Sequence, residues 1–235
     1  MKCPEYVWCL IPVYNHSSTL RKVAESAKKI CPNIIVVNDG STDGDISEIL
    51  SGSGITLLKH DRNKGKGAAL RTGAEYILNR NGKYIITLDA DGQHNPEDIR
   101  NFLPYLAEKA DTLIIGNRCF DSENIPGKSR FGRKFSNFWI NFETGSQVLD
   151  SQSGFRAYPA KLLCDVECIS NHYAFETEII VRAAWGGYKL KNVDISVYYP
   201  EKKNRITHFR PFMDNFRISL LHSRLTAEKI LFHLF

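Results

Sequence analysis

The chain of 235 residues is 43% hydrophobic and 24% charged, which fits a globular protein of one domain spanning 1–235, and its net charge of +5 is too modest to mark a nucleic-acid binder. Arg, Lys, Asp or Glu interrupts every apolar run before it reaches the ~20 residues a bilayer crossing demands, and the N-terminal stretch lacks the pattern of a secretory signal. Cys3, Cys9, Cys31, Cys119, Cys164 and Cys168 show neither zinc-site pairing nor the density of a disulfide scaffold, so the expected compartment is the reducing cytoplasm.

In chain order, β-branched runs at 6–12, 34–38, 55–59, 84–89 and 112–117 predict strands. Helical spacing of apolar residues predicts helices at 18–30, 46–50, 67–79 and 96–107, the last opened by Asn95 as N-cap and Pro96 at the first helical position. This β-α-β-α order implies an α/β protein with a mainly parallel central sheet and helices on both faces. A basic, aromatic stretch at 119–147 reads as a mobile loop leading into a helix, placed where a lid would lie. A helix at 173–185, a strand at 191–199 and a tail helix starting near Pro211 follow. Open α/β sheets bind ligands on the loops after the carboxyl ends of their strands. Three polar clusters fall on those loops: Asn38-Asp39-Gly40-Ser41, Asp89-Ala90-Asp91-Gly92-Gln93-His94 and Gly116-Asn117-Arg118.

Asp89 and Asp91, one residue apart at a strand end, place two carboxylates on the same side of an extended chain, where they can share one cation. Mg2+ and Mn2+ prefer oxygen ligands and bridge carboxylates to substrate phosphates, and Gln93 offers a further oxygen. Standing alone, an Asp-x-Asp triplet is a polar turn before a helix; its position among the other polar clusters favours a site. Asp39 can accept an N–H from a nucleobase or simply hold its own turn. Gly65-Lys66-Gly67 opens a helix and offers backbone amides and the Lys66 charge to a phosphate, although it completes neither a dinucleotide fingerprint nor a Walker A loop.

Taken together, Ile11-Pro12-Val13-Tyr14-Asn15, Val37-Asn38-Asp39-Gly40-Ser41, Asn63-Lys64-Gly65-Lys66-Gly67, the Asp89–His94 segment and Ser153-Gly154-Phe155-Arg156 resemble family 2 inverting glycosyltransferases. The nearest subgroup is the polyprenyl-phosphate (dolichyl-phosphate) mannose and glucose synthases, over roughly residues 5 to 200. The resemblance implies a GT-A fold and a UDP- or GDP-linked sugar donor held by Pro12, Tyr14, Asn15, Asp39, Lys66, Asp89, Ala90, Asp91, Gln93 and Arg118, with Asp89, Asp91 and Gln93 around Mg2+ or Mn2+. It further implies catalytic roles for Asp91, Arg156 and Glu176, the last standing where many relatives carry an Asp base, and an acceptor side formed by Arg130, Arg133, Ser153, Gly154, Arg205 and His208. The implied acceptor is a lipid phosphate or other lipid-like molecule. Glu178 and Asp150 are equally readable as structural.

The basic tail from 201 and the apolar residues Phe212, Phe216, Leu220, Leu221, Leu225, Ile230, Leu231 and Leu234 fit an amphipathic helix, suited either to core packing or to a place on the inner face of the cytoplasmic membrane. Two competing functions share these features: a sugar-phosphate nucleotidyltransferase, which lacks here the glycine-rich basic loop after the first strand, and a catalytically silent scaffold, which has no need of complete carboxylates.

Overall fold

A computed structural model describes residues 1–106, 110–118, 127–170, 172–196 and 211–234, the side chains of 127–131, 173, 211–215 and 232–234 excepted. Strands β1 (Val7–Val13), β2 (Ile34–Asn38), β3 (Thr56–Lys59), β4 (Tyr84–Thr87), β5 (Thr112–Arg118), β6 (Arg156–Pro159) and β7 (Lys189–Ile195) form one sheet in the order β3-β2-β1-β4-β6-β5-β7. All neighbours are parallel except around β6, which runs antiparallel to both β4 and β5.

Helices cover both faces, so the central strands are apolar on both sides: Ile34, Ile35, Val36 and Val37 of β2 are all buried. On one face α1 (Ser17–Lys28) presents Leu20, Val23, Ala24 and Ala27, a stripe at helical spacing, beside the short α2 (Ile46–Ile49) and α4 (Ile99–Phe102). On the other face lie α3 (Lys66–Leu78), α6 (Leu162–Asp165), α7 (Tyr173–Trp185) and, over α7, the helices α5 (Gly127–Thr144) and α8 (Pro211–Leu234). Helix α3 sits close on the sheet through Gly73, where an added Cβ would lie 1.9 Å from the Leu10 side chain.

Three expectations are corrected. The helix expected at 96–107 is instead a 3-10 turn (Pro96–Asp98), α4 and a second 3-10 turn (Leu103–Tyr105), because Pro104 has no N–H to donate to the preceding turn. The strand expected to run to Asp89 leaves the sheet at Thr87, whose partners Leu10 and Arg156 end its ladder. The third correction is an addition to the expected elements, strand β6 and helix α6, which carry too few residues for a periodic signal. Of the stretch expected to be a mobile loop and helix, 119–126 lies outside the described residues and the remainder is α5. Among the described residues no helix is long and apolar enough to cross a membrane.

Candidate active site

Where β4 ends, Leu88 and Ala90 turn into the core while Asp89 and Asp91 between them stay half-buried, so both carboxylates reach the same side, as the alternation of an extended chain requires. Two hydrogen bonds fix this segment. Thr19 Oγ1 donates to the Ala90 carbonyl at 2.5 Å, and the Gln93 N–H donates to Asp91 Oδ1 at 2.9 Å across Gly92, whose φ is +74°. His94 is buried edge-on against Phe155, with Nε2 4.0 Å from Asp89 Oδ2. Burial drives its imidazole down to about 4, so the ring is neutral near pH 7.

Lys66, the first residue of α3, delivers its ammonium between two carboxylates: Nζ is 2.5 Å from Asp89 Oδ1 and 2.6 Å from Oε1 of Glu176, in the first turn of α7. Gly154 closes this cluster from below. A Cβ there would stand 2.4 Å from Asp89 Oδ2 and 2.5 Å from Lys66 Nζ, so a larger residue would have to displace these charged side-chain ends. Burial alone would raise the Asp89 carboxyl, but Lys66 and His94 outweigh it and hold it below the ordinary carboxylate range. At Asp91, burial and then repulsion from Asp89 outweigh the opposing Gln93 N–H, Lys66 and Arg118 and push it up to about 6. Burial opposes the charge on Lys66, yet Asp89 and Glu176 prevail and raise its pKa.

Asp39, at the end of β2, is spent largely on loop geometry. Oδ1 accepts the Lys64 N–H at 2.9 Å and Oδ2 the Gly65 N–H at 2.8 Å, and His60 Nδ1 sits 2.6 Å from Oδ1. The other His60 nitrogen meets Thr72 Oγ1 at 2.9 Å. Asp39 therefore holds the turn that launches Lys66 into the site, and a nucleobase contact is left with only a narrow approach to this buried side chain. Asn15, at φ 54°, ties the end of β1 to the same region: its N–H donates to Ser41 Oγ and its Oδ1 accepts the Thr42 N–H. Pro12 and Tyr14 flank it, partly exposed at the strand end.

On the opposite wall, fully buried Asp150 accepts from Arg118 Nε at 2.6 Å and Nη2 at 2.9 Å, while Arg133 Nη1 of α5 comes within 4.0 Å of its Oδ2. One carboxylate thus gathers two arginines expected on different substrates. The catalytic expectation for Arg156 is corrected. Its side chain is wholly buried, and its guanidinium donates to the carbonyls of Ser151, Ser153 and Glu176 and to Tyr158 Oη, so it braces the 151–154 turn against α7. Ser153 is likewise buried, so Gly154 alone of that turn borders the charged cluster. Glu178 is structural, accepting the N–H groups of Ile169 and Ser170.

Arg205 and His208 lie outside the described residues, as does the side chain of Arg130. Sequence reasoning passed over His60, Thr19, His94 and the organising part of Asp150. His60 stands directly after β3, a position that could have flagged it; Thr19 carries no local signal, since its bond spans 71 residues.

Sheet order, the crossovers and the carboxylate pair at the strand ends define a GT-A fold. Among solved structures, glucosyl-3-phosphoglycerate synthase from Mycobacterium tuberculosis, crystallised with Mn2+, uridine diphosphate and phosphoglyceric acid, superposes with a TM-score of 0.68 at 16% identity, over 95% of this chain and 78% of that one. The family model for glycosyl transferase family 2 matches residues 8–166, and the chain belongs to that family. The glycosyltransferase AglJ of Haloferax volcanii is 30% identical over 239 residues, covering 99% of this chain and 76% of that protein. The polyprenol monophosphomannose synthase of Mycolicibacterium smegmatis is 29% identical over 200 residues, covering 80% of this chain and 75% of that one. These relatives support a likeness to the polyprenyl-phosphate sugar synthases within the family, and the nucleotidyltransferase alternative falls away.

Proposed function

We propose that the protein transfers a sugar, with inversion, from a UDP- or GDP-linked donor to a lipid phosphate. The observation that carries this reading is the Asp89–Asp91 pair at the ligand edge, where, among the described residues, Asp89 but not Asp91 has a cation within 4.0 Å. The pair fits Mg2+ or Mn2+: a hard divalent cation would relieve the uncompensated charge at Asp91 and complete its shell with phosphate and water, needing only one or two carboxylates. Among the described residues no group of three or more His, Cys, Asp or Glu forms a full protein cage, which is consistent with an ion shared with substrate. The solved relative bound to Mn2+ and uridine diphosphate, and the same enzyme bound to Mg2+ and uridine diphosphate, support the choice of ion.

On this reading Asp89, Asp91 and Gln93 would hold the ion, and the chemistry it would supply there is electrostatic stabilisation of negative charge on a diphosphate. Lys66 reaches the same oxygens, and Pro12, Tyr14, Asn15, Asp39 and Ala90 shape the seat of the nucleotide. Arg118, assigned to the donor phosphates, and Arg133, assigned to the acceptor, share Asp150 as a partner, and Arg130, Arg205 and His208 are assigned to the acceptor as well. A phosphate acceptor is already an anionic nucleophile near neutral pH, so no base is required. The ion pair at 2.6 Å between Glu176 and Lys66 supports this over a hydroxyl acceptor, because the carboxylate that the resemblance puts in the base position is already engaged.

Residues 1–235 work here as one domain, with peripheral contact to the cytoplasmic face of a membrane through α8, whose Phe216, Leu220, Ile230 and Leu231 are exposed. The test is transfer from UDP- and GDP-sugars to a short polyprenyl phosphate in Mn2+, with the anomeric configuration of the product read by NMR. An inverted product made by wild type and lost in Asp91→Ala supports the proposal. Transfer to a saccharide hydroxyl alone, or retention of configuration, overturns it.

A further inference from the structure

Resting on that donor-site reading, we propose that Lys66 is a resident counter-cation: its ammonium occupies the place between Asp89 and Glu176 until metal and diphosphate arrive together, so the two ligands bind cooperatively. Asp89 is already engaged by a cation. Lys66 Nζ lies against Oδ1 at 2.5 Å. A second cation at Oδ1 competes with the ammonium for the same carboxylate.

Withdrawal has a cost. The Lys66 and Glu176 side chains are 22% and 11% exposed, and an ammonium drawn from Asp89 in such surroundings loses half of its compensation unless another anion replaces it. A diphosphate oxygen is that replacement. Conversely, a diphosphate entering without a metal meets the carboxylates of Asp89, Asp91 and Glu176, with the Lys66 ammonium already paired to two of them. Each ligand therefore prepares the site for the other, and the coupling is reciprocal by thermodynamic necessity.

The same geometry sets the sign of each substitution. Lys66→Gln removes the competing cation and leaves Asp89 open to metal while taking away the group that greets the diphosphate. Glu176→Gln has the opposite effect on metal, because it leaves Asp89 as the only carboxylate partner of Nζ. Lys66→Arg keeps a cation in place.

The experiment titrates Mn2+ into the full chain, free ion followed by electron paramagnetic resonance, with and without UDP or GDP. In wild type the nucleotide tightens Mn2+ binding by about 10- to 100-fold. In Lys66→Gln, Mn2+ alone binds about tenfold tighter than to wild type and the nucleotide adds less than about threefold. Glu176→Gln binds Mn2+ alone more weakly, and Lys66→Arg resembles wild type. Should Lys66→Gln not fold without metal, the Glu176→Gln arm decides. Unchanged Mn2+ affinity in Lys66→Gln or in Glu176→Gln, with wild-type coupling intact, overturns the Lys66 proposal alone. A wild-type protein that binds neither nucleotide at saturating Mn2+ overturns the donor-site reading and this proposal with it.

Discussion

At the ends of β1, β2 and β4 the charged groups are buried or half-buried at the edge of the sheet and are wired by short contacts, Lys66 to Asp89 and Glu176, Gln93 to Asp91, Lys64 and Gly65 to Asp39. In the layer of α5 and α8 the arrangement is inverted. There the charged pair is inside, Glu143 with His222 at 3.0 Å, while Phe135, Phe138 and Phe142 of α5 and Phe216 and Leu220 of α8 face outward. The donor side spends buried polar contacts on fixing positions, as a site that must meet a developing charge without rearranging requires. The helical layer leaves these apolar side chains exposed among the described residues, the kind of patch that the proposed membrane contact would cover.

The sharpest way to break the donor side is Gly154→Ala. The new methyl would overlap Asp89 Oδ2 and Lys66 Nζ, and displacing either side chain by about 1 Å should lower turnover by ~10²-fold or more. Far-ultraviolet circular dichroism should show the fold retained; unchanged turnover would mean that the Lys66–Asp89 geometry is unimportant.

Asp150→Asn tests the opposite wall. It removes a fully buried carboxylate from under Arg118, and stranding a buried charge costs about 3–5 kcal/mol. Arg118 is partly exposed, so the low end of that range is expected, a fall in Tm of roughly 6–10 °C for a chain of this size. Calorimetric melts check it.

A smaller effect of opposite sign belongs to Asp91→Asn. The folded pKa of Asp91 is raised to about 6, so its favourable contribution is complete below the ordinary carboxylate value and is lost as pH climbs through 6. Without metal, Asp91→Asn should therefore match wild type near pH 4 and exceed it at pH 7, by on the order of 1 kcal/mol once solvent screening is allowed for. Mn2+ should reverse the ranking. Denaturant titrations at both pH values, with and without Mn2+, decide.

Least costly to the fold is Phe138→Ser on α5. With 64% of Phe138 exposed, stability should change by no more than about 0.5 kcal/mol, while sedimentation with anionic vesicles should fall several-fold if this layer meets a membrane. Equal sedimentation would redirect the search to a protein partner.

This division also separates what the residues announce from what they conceal. The alternation of Leu88, Asp89, Ala90 and Asp91 is local, and the same period that buries two of them exposes the carboxylates, so the pair was legible. The parallel strands were legible for the same reason, β2 being a continuous apolar run bounded by polar turns. Arg156 was misplaced because its four acceptors come from three carbonyls and a hydroxyl gathered by tertiary structure, and no spacing records them. The ion pairs of Lys66 were not legible, because its carboxylate partners lie 23 and 110 residues away in the sequence. Strand β6 stayed hidden because its four residues are too short to show a period, although its pairing with β4 and β5 interrupts the parallel sheet beside the site.

The most direct test of the donor site is calorimetric binding of UDP and GDP to wild type and Asp91→Ala, with and without Mn2+. The account predicts that one of the two nucleotides binds wild type only when Mn2+ is present, and that Asp91→Ala loses this binding while remaining folded. Equal binding without metal, or binding undiminished in Asp91→Ala, would contradict it.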